Sequence, residues 1–145
     1  MLYFIVNEKS KSGNAKQIWK DIEEVLKVRN VSYQVFVSEY RGHAGKLAGE
    51  ICAMDDDDIC LVAVGGDGTA NEVINGITDF EKVRFGVIPT GSGNDLARGL
   101  SLSKDPKNGA IHILNAMKKS REDTWCMDLG EVNFGEKKRL FAISA

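Results

Sequence analysis

The stretch Ile59-Cys60-Leu61-Val62-Ala63-Val64 runs directly into Gly65-Gly66-Asp67-Gly68-Thr69, and Ala70, Val73, Ile74 and Ile77 follow. An unbroken apolar run marks a strand covered on both faces, and the spacing after the turn marks a helix that begins near Thr69. Strand, glycine-rich turn and helix in immediate succession make one unit of a parallel α/β fold. The same alternation extends outward in both directions. Upstream lie a strand at Leu2–Val6 and a helix carrying Ala15, Ile18, Trp19, Ile22, Val25, Leu26 and Arg29. A strand with Tyr33, Val35 and Val37 on one face follows, then a helix with Ala44, Leu47, Ala48 and Ile51. Downstream lie a strand at Phe85–Ile88, a short helix over 93–100, a longer one marked by Ala110, Ile113, Leu114 and Met117, and two strands at Trp125–Val132 and Arg139–Ile143. The predicted fold is a three-layer α/β domain, a mostly parallel sheet with helices on both faces.

The chain has 145 residues, which suits one domain of ordinary size. Its 43% hydrophobic and 28% charged residues suit a packed globular chain and argue against disorder, collagen or a coiled coil. With 19 Lys plus Arg against 21 Asp plus Glu, there is no basic excess to neutralise a nucleic-acid backbone. No apolar run approaches the roughly 18 residues of a membrane span, and Leu2–Val6 lacks the basic flank of a signal peptide. Cys52, Cys60 and Cys126 are widely spaced, with no Cys-x-x-Cys pair, so neither a disulfide framework nor a zinc site is expected. Cys52 and Cys60 read as buried apolar groups in a reducing, cytoplasmic setting. Asp55–Asp58 reads as a solvated turn before a buried strand.

Glycine is enriched, and eight of the 15 glycines fall between Gly65 and Gly99. In a parallel sheet the loops at the carboxyl ends of the strands share one edge, where ligands bind. Four such loops bear glycines or hydroxyls: 7–13, with Ser10, Ser12 and Gly13; the end of the second strand at Ser38; Gly65–Thr69; and Pro89-Thr90-Gly91-Ser92-Gly93-Asn94-Asp95. Glycines let the backbone approach a ligand closely, and the N–H groups at a helix start suit phosphate. Thr69 offers either a hydroxyl donor or a helix cap. Asp67 is the discriminating residue, because a carboxylate beside phosphate implies a cation such as Mg2+, held directly or through water, or a hydroxyl to be positioned. A Rossmann fingerprint fails because Asn71 stands where its third glycine belongs, and the P-loop sequence is absent.

Gly65-Gly66-Asp67-Gly68-Thr69 with Asn71-Glu72-Val73, followed by Ile88–Asp95, resembles the diacylglycerol kinase catalytic-domain family, which includes bacterial lipid kinases and the sphingosine and ceramide kinases. Asn7-Glu8-Lys9-Ser10…Gly13 resembles the family's Asn-Pro-x-Ser-Gly element, and Gly42-His43-Ala44 also fits. The resemblance implies ATP-dependent phosphorylation of a lipid hydroxyl, diacylglycerol or a related lipid, with Mg2+. It also implies a fold similar to the N-terminal domain of lipid kinases, NAD kinase and 6-phosphofructokinase. By the same analogy nucleotide contacts fall on Asn7, Ser10, Ser12, Gly13, Ser38, Gly65, Gly66, Asp67, Gly68, Thr69, Asn71 and Ser92, and Asp67 serves the phosphate and Mg2+ region. Two departures stand out: Glu8 replaces the family's proline, and the first loop is longer, so either Ser10 or Ser12 takes the phosphate contact.

Residues 139–145 end inside an apolar strand pattern. The resemblance implies that residues 1–145 form the N-terminal nucleotide-binding domain, and that a β-rich second domain brings the catalytic base and further metal ligands. The chain alone is then expected to be inactive and the enzyme to work at the membrane periphery. Two rivals remain: another kinase with a Gly-Gly-Asp-Gly turn, of the NAD kinase or 6-phosphofructokinase type, and a non-catalytic nucleotide- or lipid-binding regulatory module.

Overall fold

A computed structural model describes residues 1–9, 14–90, 105–119, 130–134 and 137–141. The elements are β1 (Leu2–Val6), α1 (Ala15–Val28), β2 (Tyr33–Val37), α2 (His43–Cys52), β3 (Ile59–Gly65), α3 (Asp67–Gly76), β4 (Val83–Pro89), α4 (Pro106–Met117), β5 (Gly130–Phe134) and β6 (Lys137–Phe141). Strands β2-β1-β3-β4 form one sheet in that order, all parallel, with Val6 opposite both Val37 and Val64. The expected three-layer α/β architecture is present.

The sequence pattern explains the layering. β1 and β3 are wholly buried, and alternate residues along them point to opposite faces. Leu2, Phe4, Val6, Cys60, Val62 and Val64 pack beneath Ile22 and Leu26 of α1 and Ala110 and Leu114 of α4. Tyr3, Ile5, Leu61 and Ala63 pack beneath Ala44, Leu47, Ala48 and Ile51 of α2 and Val73 of α3. Trp19 belongs to the first core, as its helical position predicts, and meets Phe4 edge-to-face at 5.1 Å and Tyr33 at 6.1 Å. Such aromatic pairs add about 0.5–1.5 kcal/mol each beyond their buried area. Cys52 and Cys60 are free and buried, as expected.

Helix ends follow local chemistry. Asp105 caps α4, accepting from Lys107 N–H at 3.1 Å, with Pro106 in the first turn. The other end of α4 is held by Arg84, whose Nη1 donates to the Lys119 carbonyl at 3.2 Å while Nη2 meets Asp58 at 3.2 Å. Beyond α1, Asn30 takes the left-handed conformation (φ 52°), and Val31 N–H returns to the Leu26 carbonyl at 3.0 Å.

Three details differ from the sequence reading. α3 starts at Asp67 rather than near Thr69, so Asp67 and Gly68 belong to its first turn. On β2 the alternating Val35 and Val37 are about 40% exposed, while Phe36 packs against the opposite core. The strand lies at the end of the sheet order among the described residues, and on that side only Tyr33 reaches the α1 core. Within the described residues the last two strands, Gly130–Phe134 and Lys137–Phe141, form an antiparallel pair with Gly130 opposite Phe141. β5 runs past the expected end at Val132 to Phe134, and β6 begins at Lys137 rather than Arg139. The expected outer ends at 125–129 and 142–143 lie outside the described residues. The short helix expected over 93–100 lies outside the described residues.

Candidate functional site

Strand order reverses direction about β1: the chain moves from β1 outward to β2, then returns to the other side of β1 for β3. Loops diverge at such a point and leave a crevice at the carboxyl ends of the strands. The parallel ladder carries on one residue past each strand there. Ser38 N–H donates to the Val6 carbonyl at 2.9 Å, Asn7 N–H to Val64 at 2.9 Å, and Thr90 N–H to Gly65 at 3.0 Å. Ser38, Asn7, Gly65 and Thr90 therefore stand along one edge of the sheet.

At the centre of that edge β3 turns into α3. Gly66 precedes the helix in extended conformation and, as a glycine, brings no side chain to cap its first turn. The N–H groups there have no intrahelical partner, and the helix dipole gives this end partial positive charge. Thr69, expected to donate to a ligand or cap the helix, is buried beneath the turn at 6% exposure. Its Oγ1 accepts from Asn7 Nδ2 at 3.1 Å, tying β1 to α3. Gly65 makes this possible, because a Cβ there would stand 2.6 Å from Thr69 Oγ1. Gly68 faces open space. Asp67 is partly exposed at the first helical position, and Asn71 lies one turn along the same face.

Beside this turn, at the ends of β1 and β2, lies an open cleft of about 600 Å3 lined by Glu8, Lys9, Lys16, Val37, Ser38, Glu39 and Tyr40. Lys9 is held there twice: its N–H donates to Asn7 Oδ1 at 3.0 Å and its Nζ to the Glu39 carbonyl at 3.0 Å. Glu8, the residue that departs from the family's proline, forms part of the wall. Tyr40 stacks on His43 with ring centroids 4.4 Å apart and planes within 3°, and His43 Nδ1 accepts from Glu39 N–H at 2.9 Å.

Of the expected site residues, Asn7, Ser38, Gly65, Gly66, Asp67, Gly68, Thr69 and Asn71 come together along the β2-β1-β3 edge and the first turns of α3. Ser10, Ser12, Gly13 and Ser92 lie outside the described residues. Sequence reading did not single out the Tyr40–His43 stack or the part played by Glu72, whose Oε1 accepts from Gly42 N–H at 3.0 Å. Only the left-handed Gly42 hints at that contact, because the two residues are 30 apart in sequence.

Away from the site, at the opposite end of the sheet, Asp56 is more than a solvated turn residue. It accepts from Tyr3 Oη at 3.0 Å and lies 3.3 Å from the N-terminal ammonium. Among the described residues, no group of three His, Cys, Asp or Glu side chains is placed to hold a metal ion. No helix among them is long and apolar enough to cross a membrane.

The diacylglycerol kinase catalytic domain family matches residues 1–127. A Bacillus subtilis protein named "Putative lipid kinase YtlR" is 35% identical over 138 residues, covering 94% of this chain and 43% of that protein. The diacylglycerol kinase of Staphylococcus haemolyticus is 34% identical over 112 residues, covering 75% of this chain and 32% of that protein. A solved diacylglycerol kinase structure from Bacillus anthracis superposes with a TM-score of 0.68 at 25% identity, covering 79% of this chain and 42% of that one. The chain thus spans less than half the length of each of these relatives. A match over most of the sequence, on a sheet with the same architecture, makes the chain a member of the diacylglycerol kinase catalytic domain family.

Proposed function

We propose that this chain is the nucleotide-binding domain of a lipid kinase that transfers the γ-phosphoryl group of ATP to a lipid hydroxyl, diacylglycerol or a related lipid. The observation that carries the reading is the glycine-rich Gly65–Thr69 turn, which opens α3 at the carboxyl edge where strand order reverses. Family membership supplies the reaction class.

In the transfer, the lipid oxygen forms a bond to γ-phosphorus, the bond to the bridging β–γ oxygen breaks, and ADP leaves. The hydroxyl proton passes to a base, which we place outside residues 1–145, in the remainder of the enzyme. Phosphoryl transfer depends mainly on positioning and on neutralising charge. The α3 N-terminus and the Gly65–Gly68 backbone would receive phosphate oxygens. Asn7 and Thr69 would hold the shape of that turn, and Ser38 and Asn71 would flank it. In the first loop the phosphate contact would fall to Ser10 or Ser12 beside Gly13, and Ser92 would approach from the loop after β4.

Asp67 is the one carboxylate on the turn, and that donor set fits Mg2+, which binds few carboxylates and takes its remaining ligands from phosphate and water. The ion, when bound, would offset phosphate charge that Asp67 alone would repel. The lipid would be reached at the membrane periphery from the cytoplasm.

The test is a phosphorylation assay with radiolabelled ATP on the whole enzyme, offered diacylglycerol, sphingosine and NAD in parallel. Labelled lipid, lost on Asp67→Ala, supports the proposal. Labelled NAD, or Asp67→Ala activity equal to wild type, removes it. The chain alone should bind Mg-ATP without phosphorylating lipid, and turnover by the chain alone would overturn the two-part assignment.

A further inference from the structure

The α2–α3 pair has a feature that the proposed phosphate role of α3 leaves unused. The two helices meet backbone to backbone: a Cβ on Gly45 would stand 2.8 Å from the Glu72 carbonyl oxygen, and one on Gly76 would overlap the Gly45 carbonyl. Across this contact the Glu72 side chain reaches the start of α2, and its Oε1 accepts from Gly42 N–H at 3.0 Å. Gly42 precedes α2 in the left-handed conformation (φ 91°) and has no side chain with which to cap the helix. A carboxylate from another helix therefore supplies the acceptor, at the end of α2 where negative charge is favoured.

The segment held in this way leads back into the cleft. His43 N–H donates to the Tyr40 carbonyl at 3.0 Å, and His43 Nδ1 accepts from Glu39 N–H. Tyr40 stacks on the His43 ring, and Ser38, Glu39 and Tyr40 line the cleft beside Lys9. Glu72 itself stands five residues after Asp67, on the helix that opens at the glycine turn. One side chain thus links the α3 wall of the crevice to the corner between β2 and α2.

From this juxtaposition we infer that Glu72 is a positioning residue for the nucleotide site, fixing the Ser38–Gly42 corner at a set distance from the Gly65–Thr69 turn through its bond to Gly42 N–H. The inference rests on the proposed nucleotide-binding reading. Glu72 acts through Gly42; its role needs no contact with the ligand. The bond lies on the solvent side, so its loss should loosen the corner without unfolding the domain.

The experiment titrates Mg-ATP into the full chain by calorimetry and follows hydrogen exchange at the Gly42 amide by NMR, for wild type, Glu72→Ala and Glu72→Gln. If wild type binds no nucleotide, the functional reading fails, and this inference fails with it. If wild type binds, Glu72→Ala should weaken binding about fivefold, the effect of losing one net hydrogen bond, and Gly42 exchange should quicken. Glu72→Gln keeps an acceptor oxygen and should restore both. Unchanged binding in Glu72→Ala overturns the inference and leaves the nucleotide site standing. So does slow Gly42 exchange in that variant, or a Glu72→Gln variant as weak as Glu72→Ala. A Glu72→Ala chain too unstable to titrate transfers the decision to Glu72→Gln, whose binding and Gly42 exchange must then match wild type.

Discussion

Asn7 and Thr69, 62 residues apart in sequence, share a hydrogen bond of 3.1 Å between the end of β1 and the first turn of α3. Asn7 also accepts from Lys9 N–H, so its amide is used on both sides. Asn7→Ala removes both bonds and should cost about 1–2 kcal/mol. Urea denaturation of the two chains measures the difference, and equal stability would show that the bond contributes nothing.

Gly65 and Gly68 flank Asp67 but should respond in opposite ways to alanine. At Gly65 the added methyl meets Thr69, and relief requires moving the buried threonine, so a loss of about 1–3 kcal/mol is expected. At Gly68 the methyl enters open space inside a helix, where alanine is the better helix former. Gly68→Ala should melt no lower than wild type and yet weaken Mg-ATP binding, since the methyl stands over the proposed phosphate turn. A lower melting temperature for Gly68→Ala than for Gly65→Ala would contradict both assignments.

Among the described glycines, Gly76→Ala should be the most damaging substitution. The group it would strike is the backbone carbonyl of Gly45, not the end of a flexible side chain, so the helices must separate. About 3 kcal/mol is expected, the upper range for overpacking. A chemical denaturation midpoint close to that of wild type would refute it.

Acid should weaken the opposite end of the sheet. Burial acts to raise the Asp56 pKa, but the Asp58 N–H, the Tyr3 hydroxyl and the N-terminal ammonium outweigh it and hold the carboxyl below its ordinary value. A carboxyl depressed in the folded state contributes stability above its unfolded pKa of about 3.9 and loses it as pH falls through the lower folded value. Asp56→Asn should therefore reduce stability near neutral pH and flatten the decline between about pH 5 and pH 2. Parallel pH profiles for the two chains would rule the linkage out.

Cys60 should resist thiol reagents. Burial pushes its thiol up to about 11, against the smaller downward pull of Arg84 and the N-terminal ammonium. Thiolate is the reactive form, so at pH 8 the folded chain should leave Cys60 unlabelled while the urea-unfolded chain reacts. Rapid labelling of the folded chain, located by peptide mapping, would contradict this burial.

The parts of the molecule legible in the sequence are those governed by local pattern. Ile59–Val64 has no polar residue to place outside, so it reads as a central strand and is one. β2 was legible as a strand, but not its partly exposed flank. Tyr33, Val35 and Val37 alternate correctly, yet nothing local says that α1 stops short of the last two. The glycine turn was legible as a ligand loop because Gly65, Gly66 and Gly68 follow a buried strand directly. Its internal bracing was not, since the Asn7–Thr69 and Glu72–Gly42 bonds join residues that only the folded sheet brings together. The inner ends of β5 and β6, at Phe134 and Lys137, were misplaced because alternation over a short apolar run does not say where the pairing register begins.

Where α2 crosses α3 at Gly45 and Gly76, backbone meets backbone, and neither residue has a side chain to change rotamer. Most helix pairs accommodate a small displacement by rearranging the groups between them. That cushion is missing at the glycine crossing. A tilt of α3 would press there directly on the α2 backbone, so the close approach of Gly45 and Gly76 couples the two helices on one face of the sheet.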